Sequence, residues 1–105
     1  EPENAAILSG GTIGTHLQMG IGDGVIPQVL NTKIYEDICI VTDDEAIRTS
    51  KDLARKEGLM CGISSGTNVA AAIKLAKKLG RGKTVVTVLP DTAERYFSTP
   101  LFENE

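Results

Sequence analysis

Three stretches of the sequence carry residue types that could do chemistry. The first, "GISSG" at residues 62–66, sets two hydroxyls between glycines. Ser64 or Ser65 can cap a helix by accepting an N–H from its first turn. Either can instead present a hydroxyl, beside a helix N-terminus, to a ligand. A nucleophilic serine also needs a base, and the one histidine, His16, falls in a remote loop. That argues against a Ser-His-Asp hydrolase. The second, "GIGDG" at residues 20–24, has glycine spacing close to a phosphate-cradling loop. No strand precedes it and no helix follows, as that reading requires. Gly20, Gly22, Asp23 and Gly24 therefore read as a surface loop using positive φ, or as backbone brought near a ligand bound elsewhere. The third, "LPDTAERYFST", follows the strongest strand signal of the chain. Ligands of open α/β sheets bind beyond the carboxyl ends of strands, which makes Pro90 and Asp91 candidates for lining a site. Glu94 and Arg95 read as a surface or structural ion pair.

The elements that must position these residues are legible in outline. "ICIV", Ile38 to Val41, is a continuous apolar run that suits a strand covered on both faces, as in a parallel sheet. "TDDE" follows, with Thr42 and Glu45 at capping-box spacing and Asp43 and Asp44 where a helix dipole favours negative charge. Ala46, Ile47, Ser50, Leu53 and Ala54 recur at helical spacing, and Gly58 marks the stop. A second helix is expected from about Ser65 to Leu79, with Val69, Ala72, Ile73, Ala76 and Leu79 as its buried stripe and Gly80 as its end. Lys74, Lys77 and Lys78 crowd its C-terminal half, where cations are favoured. "TVVTVL", Thr84 to Leu89, is the best strand, and Pro90 stops it. Residues 3–8 predict one or two helical turns, and residues 9–24 a glycine-rich loop. The order strand, helix, helix, strand predicts an α/β fold: a partial parallel sheet flanked by helices. Two strands make a poor sheet alone. With a first residue other than Met, this suggests a segment of something longer.

Composition narrows the function classes. The chain has 105 residues, enough for one domain, and a net charge of −3 with no basic cluster beyond the three lysines of the second helix. That argues against a nucleic-acid binder, which needs a basic patch to meet phosphates. No apolar run approaches the roughly 20 residues of a membrane span, and no signal peptide opens the sequence. Cys39 and Cys61 are too few and too far apart for a disulfide scaffold or a CxxC metal site, and one histidine excludes a multi-histidine metal site. Reduced, packed thiols in a cytoplasmic protein are the expectation.

Taken in order, "EPENAAILSGG", "GTHLQMGIGDGVIPQVL", "VTDDEAI", "GISSGTNVAAA" and "LPDTAERYFST" cover nearly the whole chain. Together they resemble the C-terminal third of the cysteine synthase (O-acetylserine sulfhydrylase) family, fold-type-II enzymes that use pyridoxal 5'-phosphate. The resemblance implies that Ser64 donates a hydrogen bond to the pyridine nitrogen of the cofactor, while Ser65 keeps the capping role. It implies Gly20, Gly22, Asp23 and Gly24 as a substrate-cleft loop. It also implies that the bound amino acid loses its α-proton and acetate and then takes up sulfide to give L-cysteine. The family's cofactor lysine, carboxylate-binding loop and phosphate loop belong to the N-terminal half and match nothing here. The chain by itself is therefore expected to be inactive and to hold no catalytic residue, and the complete enzyme to be a homodimer.

The sequence departs from the family pattern at three places. Leu17 stands where a lysine is usual, in a region that helps dock serine acetyltransferase in some members, which argues against that complex. Asp23 replaces a usual alanine, and its charge would repel an anionic donor such as O-phosphoserine. Ala93 replaces a common glycine, and nothing explains it. Two other readings stand beside the leading one: a cystathionine β-synthase-like enzyme of the same fold, and a non-catalytic α/β interaction module.

Overall fold

In a computed structural model of the chain, residues 1–96 are described, with side chains up to Glu94. Two helices dominate: α1 (Asp43–Glu57) and α2 (Ile63–Leu79). Short 3-10 turns occupy Glu3–Ala5, within the stretch expected to make one or two turns, and Ala93–Tyr96.

α1 forms where its end signals place it. The Thr42 hydroxyl accepts from the Glu45 N–H at 3.1 Å, and the Glu45 carboxylate accepts from the Thr42 N–H at 2.9 Å. Two donors with no intrahelical acceptor are thereby satisfied. At the other end Gly58 turns left-handed with φ of 70° and returns its N–H to Ala54 O. Leu59 N–H reaches Leu53 O, which completes the C-terminal cap.

α2 begins two residues before the expected Ser65. Gly62 is its N-cap, and no side chain caps it, so neither Ser64 nor Ser65 does the capping expected of a serine there. The turn before α2 is instead held from outside. Gly62 N–H donates to Asp91 O at 3.1 Å, and Ser50 Oγ donates to the carbonyls of Cys61 and Gly62 at 3.0 and 3.2 Å. With the backbone fixed that way, the helix starts early and both serines fall within its first turn.

The helices meet at their N-terminal halves. Gly66 lies against Ala46 and Ser50, and Val41, Ala46, Ile63, Ala70 and Ala93 form the core. The expected stripe along α2 is exposed in its second half, Ile73 at 46% and Leu79 at 45%, although Val69 and Ile73 still share a cleft with Leu53 and Lys56 of α1. Lys74 spans the remaining gap with an ion pair to Glu45 at 3.0 Å.

The expected sheet is reduced among the described residues to isolated bridges, a parallel one between Pro2 and Val41 and an antiparallel one between Cys61 and Thr92. Among the described residues the backbone of Ile38–Val41 pairs with Glu1–Glu3, through Val41 N to Glu1 O at 2.9 Å and Glu3 N to Val41 O at 3.0 Å. The run 84–89 forms no ladder, and Val86 is 86% exposed. A helix satisfies its backbone internally, whereas a strand must borrow partners.

Candidate functional site

The glycine loop is shaped by its neighbours on the N-terminal side. His16 Nδ1 accepts from the Gln18 N–H at 3.0 Å, which leaves Nε2 as the protonated nitrogen donating to Gly22 O at 2.9 Å. Gly22 has φ of 62°, and a Cβ there would sit 2.6 Å from the Pro2 ring, so this position needs glycine on both counts.

Behind the loop sits Gln18, fully buried and fully used. Its Nε2 donates to Val41 O and to Asp43 Oδ1, each at 3.0 Å, and its Oε1 accepts from Thr67 Oγ1 at 2.8 Å. The loop, the start of α1 and the second turn of α2 are thus joined through one amide. Nothing local in the sequence marks Gln18 or Thr67, because the bond spans 49 residues.

Gly20, Gly22, Asp23 and Gly24 line a cavity of about 450 Å³, with Thr67, Asn68 and Ala71 of α2 among the residues opposite. Asp23 is exposed at its rim. Four of the sequence-predicted residues are therefore brought together. Ser64 is not among the lining residues of this cavity, and neither are Pro90 and Asp91. Asp91 is tied instead to the residue before α2, through the Gly62 N–H. Ser64 lies at the second position of α2, 5% exposed, and Asp91 holds the N-cap of the same helix through its carbonyl. Pro90 is exposed beside it. The Arg95 side chain and residues 97–105 lie outside the described residues, and with them the expected Glu94 and Arg95 pair.

The first turn of α2 suits a hydrogen-bonding heteroaromatic group. Its leading N–H groups have no intrahelical acceptor, and Ser65 Oγ is buried without a partner among the described residues. A group carrying a ring nitrogen would find hydrogen-bond donors there. No lysine lines the cavity, and no group of three metal-ligating side chains occurs among the described residues. Nor is any helix there long and apolar enough to cross a membrane.

This arrangement of a glycine loop facing a serine-led helix belongs to a known class. Residues 1–91 match the pyridoxal-phosphate dependent enzyme family, and the chain belongs to that family. Within it, the chain is similar to a cysteine synthase of Staphylococcus aureus, 54% identical over 102 residues that cover 97% of this chain and 33% of the relative. It superposes on a cysteine synthase of Entamoeba histolytica with a TM-score of 0.95 at 36% identity, covering 100% of this chain and 31% of that one. An O-acetylserine dependent cystathionine β-synthase of Helicobacter pylori gives 0.90 at 38% identity, over 97% of this chain and 33% of that one. The chain thus spans about a third of the length of the curated relatives it matches.

Proposed function

We propose that residues 1–105 are the C-terminal third of a β-replacement enzyme that makes L-cysteine from O-acetylserine and sulfide. The observation that carries this reading is the 54% identity to a cysteine synthase, which runs through both the glycine loop and the serine-led helix. The remaining two-thirds would supply the cofactor lysine and the phosphate loop. It would also supply strands to pair with residues 38–41 and 84–89, completing a parallel sheet whose exposed members here are Val86 and Val88. The complete enzyme is read as a homodimer.

Pyridoxal phosphate, when bound, supplies the electron sink for chemistry at the α-carbon of an amino acid. The residues of this chain tune and shape that site. Ser64 meets the ring nitrogen with a neutral hydroxyl, which holds the nitrogen unprotonated and favours elimination and replacement. Pro90 and Asp91 line the same end. Gly20, Gly22 and Gly24 bring backbone close to the substrate, and Asp23 places a carboxylate at the mouth of the cleft. That charge disfavours a phosphorylated serine as donor.

The test is product formation by the complete enzyme from O-acetylserine and sulfide, with O-phosphoserine as the competing donor. Cysteine from the acetylated donor is expected. Asp23→Ala should raise the relative use of O-phosphoserine more than it changes cofactor affinity, and an unchanged ratio would make Asp23 structural. The similarity to the Helicobacter pylori enzyme favours a second reading, in which a thiol amino acid replaces sulfide. Turnover with such a thiol and none with sulfide would select it.

A further inference from the structure

We propose that Gln18 and Thr67 form a clamp that sets the distance between the glycine loop and α2, and with it the affinity for the amino-acid substrate. The proposal rests on the β-replacement reading above. Thr67 and residues 20–24 line the same cavity, whereas Gln18 lies behind it and is not a lining residue. The 2.8 Å bond between Thr67 Oγ1 and Gln18 Oε1 therefore joins the two sides from the rear.

The loop has little else to hold it in place. Met19, Val25 and Ile26 are exposed, at 45, 72 and 45%. The His16 bond to Gly22 O shapes the loop within itself, and the contact of Gly22 with Pro2 seats one residue. Gln18 fixes the assembly to both helices. Its amide cannot turn over, because a reversed amide would set Oε1 against two acceptors, Val41 O and the Asp43 carboxylate. A rigid amide bonded on both edges transmits the position of α2 to the loop. Thr67 is one turn from Ser64 on α2, so the clamp also registers the loop against the residue proposed to meet the cofactor ring. Gln18 and Thr67 are positioning residues: neither is assigned a contact with the reacting atoms.

The experiment compares the complete, cofactor-loaded enzyme with its Thr67→Val and Thr67→Ser variants. L-serine is the probe, and its affinity is read from the change in cofactor absorption. KM and kcat with O-acetylserine, cofactor retention on gel filtration and thermal melting are read alongside. Valine keeps the volume and removes the hydroxyl, so L-serine affinity should fall and KM rise by roughly tenfold to a hundredfold, the size of a misplaced positioning contact. Cofactor retention should hold, and serine should restore both values. If Thr67→Val does not fold, Thr67→Ala is read in the same way. Equal L-serine affinity in the valine variant and the wild type overturns the clamp. So does loss of cofactor and of substrate affinity in equal measure, or failure of both the valine and alanine variants to fold, since each marks a purely structural bond. A wild type that binds L-serine yet makes no cysteine would sink the proposed reaction and leave the clamp to be judged on binding.

Discussion

Gly66 of α2 faces the carbonyl oxygen of Ala46 in α1 with no room between them for a methyl group. The Ser50 backbone nitrogen, 2.9 Å from where a Cβ would stand, closes the other side. Because both obstacles are backbone, no rotamer change relieves the clash. Gly66→Ala should therefore push the helices apart and cost on the order of 3 kcal/mol, at the upper end of overpacking. Gly58→Ala, left-handed but in open space, should cost about 1 kcal/mol from backbone strain alone. Chemical denaturation of the two variants of the complete enzyme measures the difference. Equal costs would mean the helix contact yields more easily than the geometry implies.

The capping box of α1 makes an acid-dependent contribution to stability. The Glu45 carboxyl is held below its ordinary value of 4.5, first by the Thr42 backbone N–H and then by Lys74. A lowered folded value means the contribution is complete above the unfolded value and fades as pH falls through the folded one. Glu45→Gln should therefore destabilise at pH 7, with a penalty that shrinks as pH is lowered below 4.5. Thr42→Ala should cost about 1 kcal/mol. Denaturant midpoints measured from pH 7 to pH 3 check both. A pH-independent Glu45→Gln penalty would show that Glu45 acts by packing alone.

The two thiols should differ in reactivity. Both are free, Cys39 half-buried and Cys61 buried at 4% exposure. Thiol titration of the native chain should label Cys39 first, with Cys61 reacting after denaturation. Two equivalents should be found in denaturant without reductant, and recovery of none would demonstrate a disulfide.

Ser64 should be dispensable for folding and needed for the cofactor's electronic state. Gly62 caps α2, so Ser64→Ala removes no cap and should cost no more than a buried hydroxyl's hydrogen bond, about 1 kcal/mol. Ser64→Asp puts a carboxylate in the first turn of a helix, where the dipole favours it. That variant of the complete enzyme should fold, shift the absorption of bound pyridoxal phosphate and lose β-replacement activity. Wild-type absorption together with wild-type turnover in the Asp variant would refute contact with the ring nitrogen.

What could be read from the sequence was local. Thr42, Glu45 and Gly58 signal α1 completely because each acts within a turn of its own position. α2 starts two residues before the expected Ser65 because serine is the commoner cap in sequence, while the segment that holds Gly62 arrives from Asp91. The sheet was legible as apolar runs but not as pairing, since a strand's hydrogen bonds belong to its neighbours. Gln18 was silent for the same reason. Its partners lie 23, 25 and 49 residues away, and one glutamine in a glycine-rich loop resembles any other polar residue. The residue-type signals that did register, Gly20 to Gly24 and Ser64, named two groups but not the tie between them.

The run 84–89, held to α2 by Asn68 Nδ2 on Val88 O at 2.9 Å but paired with no strand among the described residues, has a consequence for handling the chain apart from the rest of an enzyme. It is six residues long, rich in valine and threonine, with no charge and no proline, and Val86 and Val88 are 86 and 65% exposed. Such a segment is a template for cross-β association. Produced alone at high concentration, the chain should self-associate through this run into thioflavin-binding aggregates. A lysine at Val86, whose side chain faces solvent, should keep it dispersed.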